Sequence, residues 1–70
     1  MAVSYKKLWK LLIDRDMSKS ELRRAAGIST NALAKMGKNE SVSVEVLGKV
    51  CKVLGCNVGD IMDFIPEEKE

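Results

Sequence analysis

The segment from residue 29 to residue 38 carries side chains suited to contact with base pairs. If the segment is a helix that turns 100° per residue, Ala32, Leu33 and Met36 fall on one side, which must face a core. The other side is short, polar and cationic, and it presents Asn31, Ala34, Lys35 and Lys38, with Thr30 between the two sides. Asparagine can bond adenine through two hydrogen bonds, lysine can reach guanine acceptors, and alanine or a threonine methyl can contact a thymine methyl. The pattern therefore predicts a helix that reads base edges in the major groove of DNA.

The charge along the chain is divided unevenly. From Met1 to Lys38, nine basic residues stand against three acidic ones, a net charge of +6, whereas the rest of the chain carries −4 and the whole chain +2. This asymmetry favours a basic face turned towards a polyanion. Taken alone, it is equally compatible with an unevenly charged solvated surface.

The composition narrows the classes of function. A chain of 70 residues, 46% of them hydrophobic, forms one domain with a small core, and no apolar run approaches the roughly 20 residues of a membrane span. Two cysteines without a histidine are too few for a disulfide scaffold or a four-ligand zinc site, and the commonest general base is missing. We therefore expect no enzyme, no cofactor, no metal and no membrane partner, and a cytoplasmic location.

Helices must position the proposed base-reading face. Apolar stripes at helical spacing predict an all-α, compact five-helix domain over residues 1–65, followed by an acidic tail, 66–70, that we expect to fray. Ser18 and Glu21 match a capping box. The predicted N-caps are Ser4, Ser18, Ser29, Ser43 and Asn57, and the predicted helix stops are Gly27, Gly37 and Gly55. The predicted helices span 4–15, 18–26, 29–36, 43–54 and 58–64.

The second and third predicted helices are joined by a very short turn that contains only Gly27 and Ile28. Such a connection is typical of a helix-turn-helix. The segment from Lys19 to Lys38 resembles the helix-turn-helix of the lambda repressor and Cro-like DNA-binding proteins, and the stretch MSKSELRRAAGIS, residues 17–29, carries most of the specificity of this resemblance. The stretch VEVLGKVCKVLGCNVGDIM, which ends at Met62, is similar to that family's fourth and fifth helices. The resemblance covers about residues 4–64, and it implies a small transcriptional regulator that binds double-stranded DNA.

The resemblance also implies which residues contact DNA. Backbone phosphates are expected at the start of helix two and at both ends of helix three, where Ser29 occupies a helix N-terminus that favours anions. The expected phosphate contacts are Ser18, Lys19, Ser29, Lys38 and Asn39, and the expected base contacts are Thr30, Asn31, Ala34 and Lys35. Arg23 departs from the family, which usually has alanine or glycine there. Either its stem passes out between the helices, or Ala25 and Ala26 provide the close approach.

The C-terminal part of the domain is rich in apolar side chains. Because one reading helix makes few base contacts, we expect a homodimer on a palindromic operator. The candidate interface residues are Met62, Phe64 and Ile65. The alternative is a protein-interaction module, such as an antitoxin or adaptor, that uses the same scaffold and binds DNA weakly or not at all.

Three other residues have more ordinary interpretations. Cys51 continues a buried stripe and Cys56 lies near it, so both are interpreted as small hydrophobes; a redox or metal sensor is the weaker alternative. Trp9 is interpreted as a core residue and not as a stacking platform for single strands.

Overall fold

A computed structural model describes residues 2–66, and in this range the chain forms four α-helices, one 3₁₀ turn and a two-stranded antiparallel sheet. The helices are α1 (Lys6–Asp14), α2 (Lys19–Ala26), α3 (Thr30–Gly37) and α4 (Val44–Leu54). The 3₁₀ turn covers Val58–Asp60, and the strands are β1 (Ala2–Ser4) and β2 (Asp63–Ile65). None of the helices in this range is long and apolar enough to cross a membrane.

Every helix contributes apolar side chains to one core. Each presents residues three or four positions apart, such as Leu8 and Leu12 of α1 or Val50 and Leu54 of α4, and therefore buries a single stripe. The buried side chains are those of Tyr5, Leu8, Leu12, Leu22, Ile28, Ala32, Met36, Val50, Leu54 and Ile61. Partly buried residues, Trp9 among them, pack around this core.

Serine side chains start three of the helices. The Ser18 hydroxyl accepts from the backbone N–H of Glu21 at 3.1 Å, and the Glu21 carboxylate accepts from the backbone N–H of Ser18 at 2.7 Å. Ser29 and Ser43 make the corresponding caps for α3 and α4, at 3.0 Å and 3.2 Å. These helix starts were predicted correctly because a cap needs only residues that are three positions apart.

The predicted helix stops hold at two of three glycines. Gly27 and Gly55 have φ values of 70° and 64°, the left-handed conformation expected of a helix-ending glycine. The prediction was wrong for Gly37, which is the last residue of α3. The left-handed residue there is Asn39, with φ of 58°, and asparagine tolerates this conformation better than most residues.

The five-helix prediction was wrong at both ends of the domain. The predicted first helix, 4–15, begins at Lys6, because Ser4 belongs to β1 and pairs with Asp63. In place of a fifth helix, 58–64, the chain makes the short 3₁₀ turn and then β2. Pro66 explains part of this difference, since a residue that precedes proline is disfavoured in helical backbone and Ile65 is extended.

Residues near the sheet hold the two ends together. The register pairs Ala2 with Ile65 and Val3 with Phe64. Lys7 of α1 forms a salt bridge to Asp63 at 3.1 Å and also donates to the carbonyl oxygen of Gly59 at 3.0 Å. The predicted domain, 1–65, remains a prediction, and in the predicted tail residues 67–70 lie outside the described residues.

Candidate nucleic-acid interface

The turn between α2 and α3 is built from backbone hydrogen bonds at a left-handed glycine. The carbonyl oxygen of Arg23 accepts from the N–H groups of Gly27 at 3.0 Å and Ile28 at 3.2 Å. Gly27 adopts the required positive φ, and Ile28 turns back into the core, where it is buried. Helix α2 packs against both α3 and α4. Helix α3 lies on the outside of the domain, where one of its sides stays exposed. This arrangement is a helix-turn-helix.

Helix α3 has one buried and one exposed side. Ala32 and Met36 are buried and Leu33 is half-buried. The structure places all four expected base-reading residues on the exposed side: Thr30, Asn31, Ala34 and Lys35. Lys38 is also exposed and follows α3 as its C-cap. Within residues 2–66, none of Lys19, Lys35 and Lys38 forms a salt bridge, so their charges are available to an anion.

The start of α2 combines a helix cap with a positioned lysine. The ammonium group of Lys19 lies 4.3 Å from the centre of the Trp9 ring, within the range of a cation–π contact. Trp9 is half-buried and packs against the core, so its ring is a fixed platform for Lys19. The pKa of Glu21 is lowered mainly by the backbone N–H of Ser18 and to a smaller extent by the Ser18 hydroxyl. The Ser18 hydroxyl accepts the capping bond from the backbone N–H of Glu21.

The segment after α3 is tied to the beginning of the chain. The side-chain oxygen of Asn39 accepts from the backbone N–H of Tyr5 at 3.2 Å, and the Tyr5 hydroxyl donates to the carbonyl oxygen of Glu40 at 2.9 Å. The side-chain oxygen of Asn39 is therefore engaged within the protein, and its NH₂ group is the part that remains for a phosphate. Burial raises the pKa of the Tyr5 phenol, an effect that the backbone of Val42 partly opposes.

Sequence reasoning missed two residues at this surface. Tyr5 was not singled out, although a buried tyrosine needs a hydrogen-bond partner, and a single tyrosine next to a predicted helix start is a weak signal of such a contact. Ser43 was noted only as a cap. With Asn31 and Lys35 it borders a shallow depression of about 260 Å³, so the N-terminus of α4 lies beside the exposed side of α3.

Arg23 occupies the place where the family usually has a small residue. It is half-buried, as is Ala26, whereas Ala25 is exposed. These exposures favour the interpretation in which the arginine stem covers apolar surface between the helices. Ala25 takes no part in the close approach.

A second surface, which is apolar, includes strand β2 and the start of α4. Phe64 and Ile65 of β2 are 66% and 48% exposed, and Val44 at the start of α4 is 83% exposed. They border or adjoin a groove of about 740 Å³ whose lining includes Met62, Cys51 and Cys56. The candidate interface residues therefore lie on a strand and its approach, not on the fifth helix from which they were expected to project. We call this surface the apolar face.

The two cysteines line that groove as free, half-buried thiols. Both pack against the core, in agreement with their interpretation as small hydrophobes. Across residues 2–66, no three histidine, cysteine, aspartate or glutamate side chains are grouped so that they could hold a metal ion.

The fold and the exposed side of α3 define a helix-turn-helix DNA-binding domain. The family model for the Cro/C1-type HTH DNA-binding domain matches residues 7–67, and the chain belongs to that family. This result confirms the resemblance found in the sequence.

Two relatives support the assignment. A crystal structure of the transcriptional regulator VanUg has a TM-score of 0.90 and 59% sequence identity to this chain, and the match covers 94% of this chain and 88% of VanUg. The uncharacterised HTH-type transcriptional regulator YozG of Bacillus subtilis (strain 168) is 35% identical over 60 residues, which cover 83% of this chain and 71% of YozG.

Proposed function

We propose that the protein is a sequence-specific transcriptional regulator that inserts α3 into the major groove of a palindromic operator as a homodimer. The observation that carries the proposal is the exposed side of α3, which holds Asn31, Ala34 and Lys35 opposite an apolar buried side, with no salt bridge to Lys35 among residues 2–66. The amide of Asn31 suits adenine, the ammonium of Lys35 suits guanine, and Ala34 and Thr30 suit thymine methyl groups.

Phosphate contacts on both sides of the groove fix the position of α3. On one side, Trp9 holds Lys19 in place beside the Ser18 hydroxyl. On the other side, Lys38 supplies a charge and Asn39 supplies its NH₂ group. The N-termini of α3 and α4, capped by Ser29 and Ser43, add backbone N–H groups that favour anions. These contacts carry affinity but little sequence information.

The apolar face is the proposed dimer interface. Phe64 and Ile65 expose large apolar surfaces to water in the monomer, and burying these surfaces favours dimerisation. In a twofold dimer, the same face of each copy covers the other, and two α3 helices then read half-sites about 34 Å apart. Thr30, Asn31, Ala34 and Lys35 do not line the groove of the apolar face, so pairing through Phe64 and Ile65 leaves the exposed side of α3 free.

The test of DNA binding begins with selection of bound sequences from a random duplex pool, followed by anisotropy titrations on the selected duplex. Asn31→Ala is expected to lower affinity for the selected site by about 5- to 150-fold, which corresponds to one bidentate base contact. It should leave binding to unrelated duplexes nearly unchanged. An equal loss on all sequences would contradict the base-reading role.

A salt titration tests the phosphate contacts. Lys38→Ala is expected to reduce the slope of log affinity against log salt by about one. The matched control is Lys52→Ala, which removes an exposed lysine from the last turn of α4, outside the proposed interface. If both variants changed the slope equally, only the overall charge would matter and the assigned contact would be wrong.

Light scattering at micromolar concentration tests the dimer. Phe64→Asp is expected to halve the measured mass, because a charge on the apolar face opposes its burial. Ile13→Asp is the control, since Ile13 is 74% exposed on α1, outside that face. A monomeric mass for the unmodified protein would overturn the homodimer.

The size of the apolar groove supports a second candidate function, in which the groove binds a protein other than a second copy of this chain. In that case the chain is a protein-interaction module of the antitoxin or adaptor kind, and α3 has no ligand. Absence of duplex binding at low salt, where electrostatic attraction is strongest, would favour this function over the first.

A further inference from the structure

We propose that Cys51 and Cys56 form a dithiol that a low-molecular-weight disulfide, such as glutathione disulfide, converts reversibly into an intramolecular disulfide. The site lies at the C-terminal end of α4, on the wall of the apolar groove. The disulfide step does not depend on the proposed function.

The backbone brings the two cysteines together. Gly55 adopts the left-handed conformation, and the chain then folds back so that the N–H of Cys56 donates to the carbonyl oxygen of Cys51 at 3.1 Å. This bond is the wide hydrogen bond of a Schellman motif, in which the side chains of the two bonded residues characteristically touch. The Cys56 thiol is close enough to influence the Cys51 thiol. At most helix ends the residues at these two positions are hydrophobic, whereas here both are cysteines.

Both thiols are accessible to a small oxidant. Neither forms a disulfide, both are half-buried, and both line the open groove. Half-burial distinguishes them from fully enclosed core cysteines, which are inert. Within residues 2–66 no third ligand side chain joins them, so exchange chemistry fits the pair better than a multi-ligand metal site.

The reaction consists of two exchange steps. The Cys56 thiolate attacks one sulfur of the oxidant, a mixed disulfide forms, and the first molecule of small thiol leaves. The Cys51 thiolate then attacks the Cys56 sulfur of the mixed disulfide, the protein disulfide forms, and the second thiol leaves. The protein loses two electrons and two protons, and one oxidant molecule is reduced to two thiols.

The order of the steps follows from the environment of Cys51. Burial raises the pKa of its thiol, and the neighbouring Cys56 thiol raises it further. Because the thiolate is the nucleophile, Cys51 is the slower group to attack an oxidant from solution. Once a mixed disulfide stands on Cys56, however, Cys51 is held next to it by the Schellman motif.

The experiment incubates the full chain with excess glutathione disulfide and then blocks remaining thiols with N-ethylmaleimide before intact-mass analysis. The unmodified protein should lose two hydrogen atoms, accept no label and carry no glutathione, and reduction should restore two labelled thiols. Cys51→Ser should retain one glutathione on Cys56, because the resolving thiol is missing. Cys56→Ser should react more slowly.

Two results would overturn the proposal. One is stable glutathionylation of the unmodified protein without closure, which would show that the thiols do not meet. The other is a disulfide-linked dimer on a non-reducing gel as the main product. Circular dichroism of the two serine variants shows whether each is folded. A titration over ratios of reduced to oxidised glutathione gives the equilibrium constant for disulfide formation, and this measurement involves neither DNA nor dimerisation.

Discussion

The contact between Tyr5 and the segment after α3 gives the sharpest stability prediction. Tyr5→Phe removes the hydroxyl that donates to the Glu40 carbonyl oxygen at 2.9 Å and leaves the ring in the fully buried position. The backbone bond from Tyr5 to the Asn39 side chain is retained, because it does not involve the hydroxyl. The expected change is therefore the loss of the contacts of the hydroxyl, namely its bond to the Glu40 carbonyl oxygen and its contact with the backbone of Val42.

The size of the loss follows from the burial of that bond. A hydrogen bond contributes about 0.5–1.5 kcal/mol net, and a partly buried carbonyl left without a partner adds to the cost, so we expect the free energy of unfolding to fall by about 1–2 kcal/mol. In a domain of this length such a loss lowers Tm by roughly 5–15 °C.

Urea denaturation followed by circular dichroism measures the effect. The midpoint should fall while the m-value stays constant, since the same surface is exposed on unfolding. Ile13→Val, a change at a residue that is 74% exposed on α1 and outside the apolar face, should alter the free energy of unfolding by less than about 0.5 kcal/mol. A loss below about 0.3 kcal/mol in Tyr5→Phe would refute the importance of the bond, and a loss above about 4 kcal/mol would indicate disrupted packing.

Four further predictions follow from individual contacts. Because the pKa of the Tyr5 phenol is raised, the contribution of the phenol to stability is complete below a pH of about 10 and is lost as pH rises through the folded-state pKa. The difference in unfolding free energy between the unmodified protein and Tyr5→Phe should therefore shrink in alkaline urea titrations. Ser18→Ala should cost about 0.5–2 kcal/mol of unfolding free energy, measured in urea, because α2 loses its cap. Because the pKa of Glu21 is lowered, the contribution of its carboxylate to stability is present above the unfolded-state pKa and is lost as pH falls through the folded-state pKa. Glu21→Gln should lack this acid dependence in thermal melts. Trp9→Leu should weaken duplex binding by about 2- to 5-fold in anisotropy titrations, since a cation–π contact is worth about 0.5–1 kcal/mol. The slope of log affinity against log salt should stay constant in Trp9→Leu, whereas Lys19→Ala should lower it. A lower slope in Trp9→Leu would contradict the positioning role.

Several of these predictions test how the exposed side of α3 is held in place. The Tyr5 contacts join the chain next to β1 to the residues that follow α3, and β1 is in turn paired with β2 on the apolar face. The end of α3 and the proposed dimer interface are therefore linked through one short strand. Tyr5 is therefore placed to support both surfaces from within the core.

The features that could be predicted from sequence are those that arise within a few residues. Ser18, Ser29 and Ser43 cap the helices they were expected to cap, because the cap joins positions three apart. The turn at Gly27 and the two sides of α3 follow from a left-handed glycine and from helical periodicity, which are also local. The helix-turn-helix and its exposed polar side are therefore encoded by short-range interactions.

The tertiary structure decided what joins distant parts of the chain. The pairing of Ala2 with Ile65 turned an expected helix into a strand, since an apolar run such as Phe64–Ile65 suits either element until a partner strand is present. Tyr5 reaches Asn39 and Glu40 across about half the chain, a contact that no local spacing indicates. The sequence by itself determined α3 and its exposed polar side. Long-range packing determined how that helix is anchored and where the apolar face lies, because both depend on groups that meet only once the core has formed.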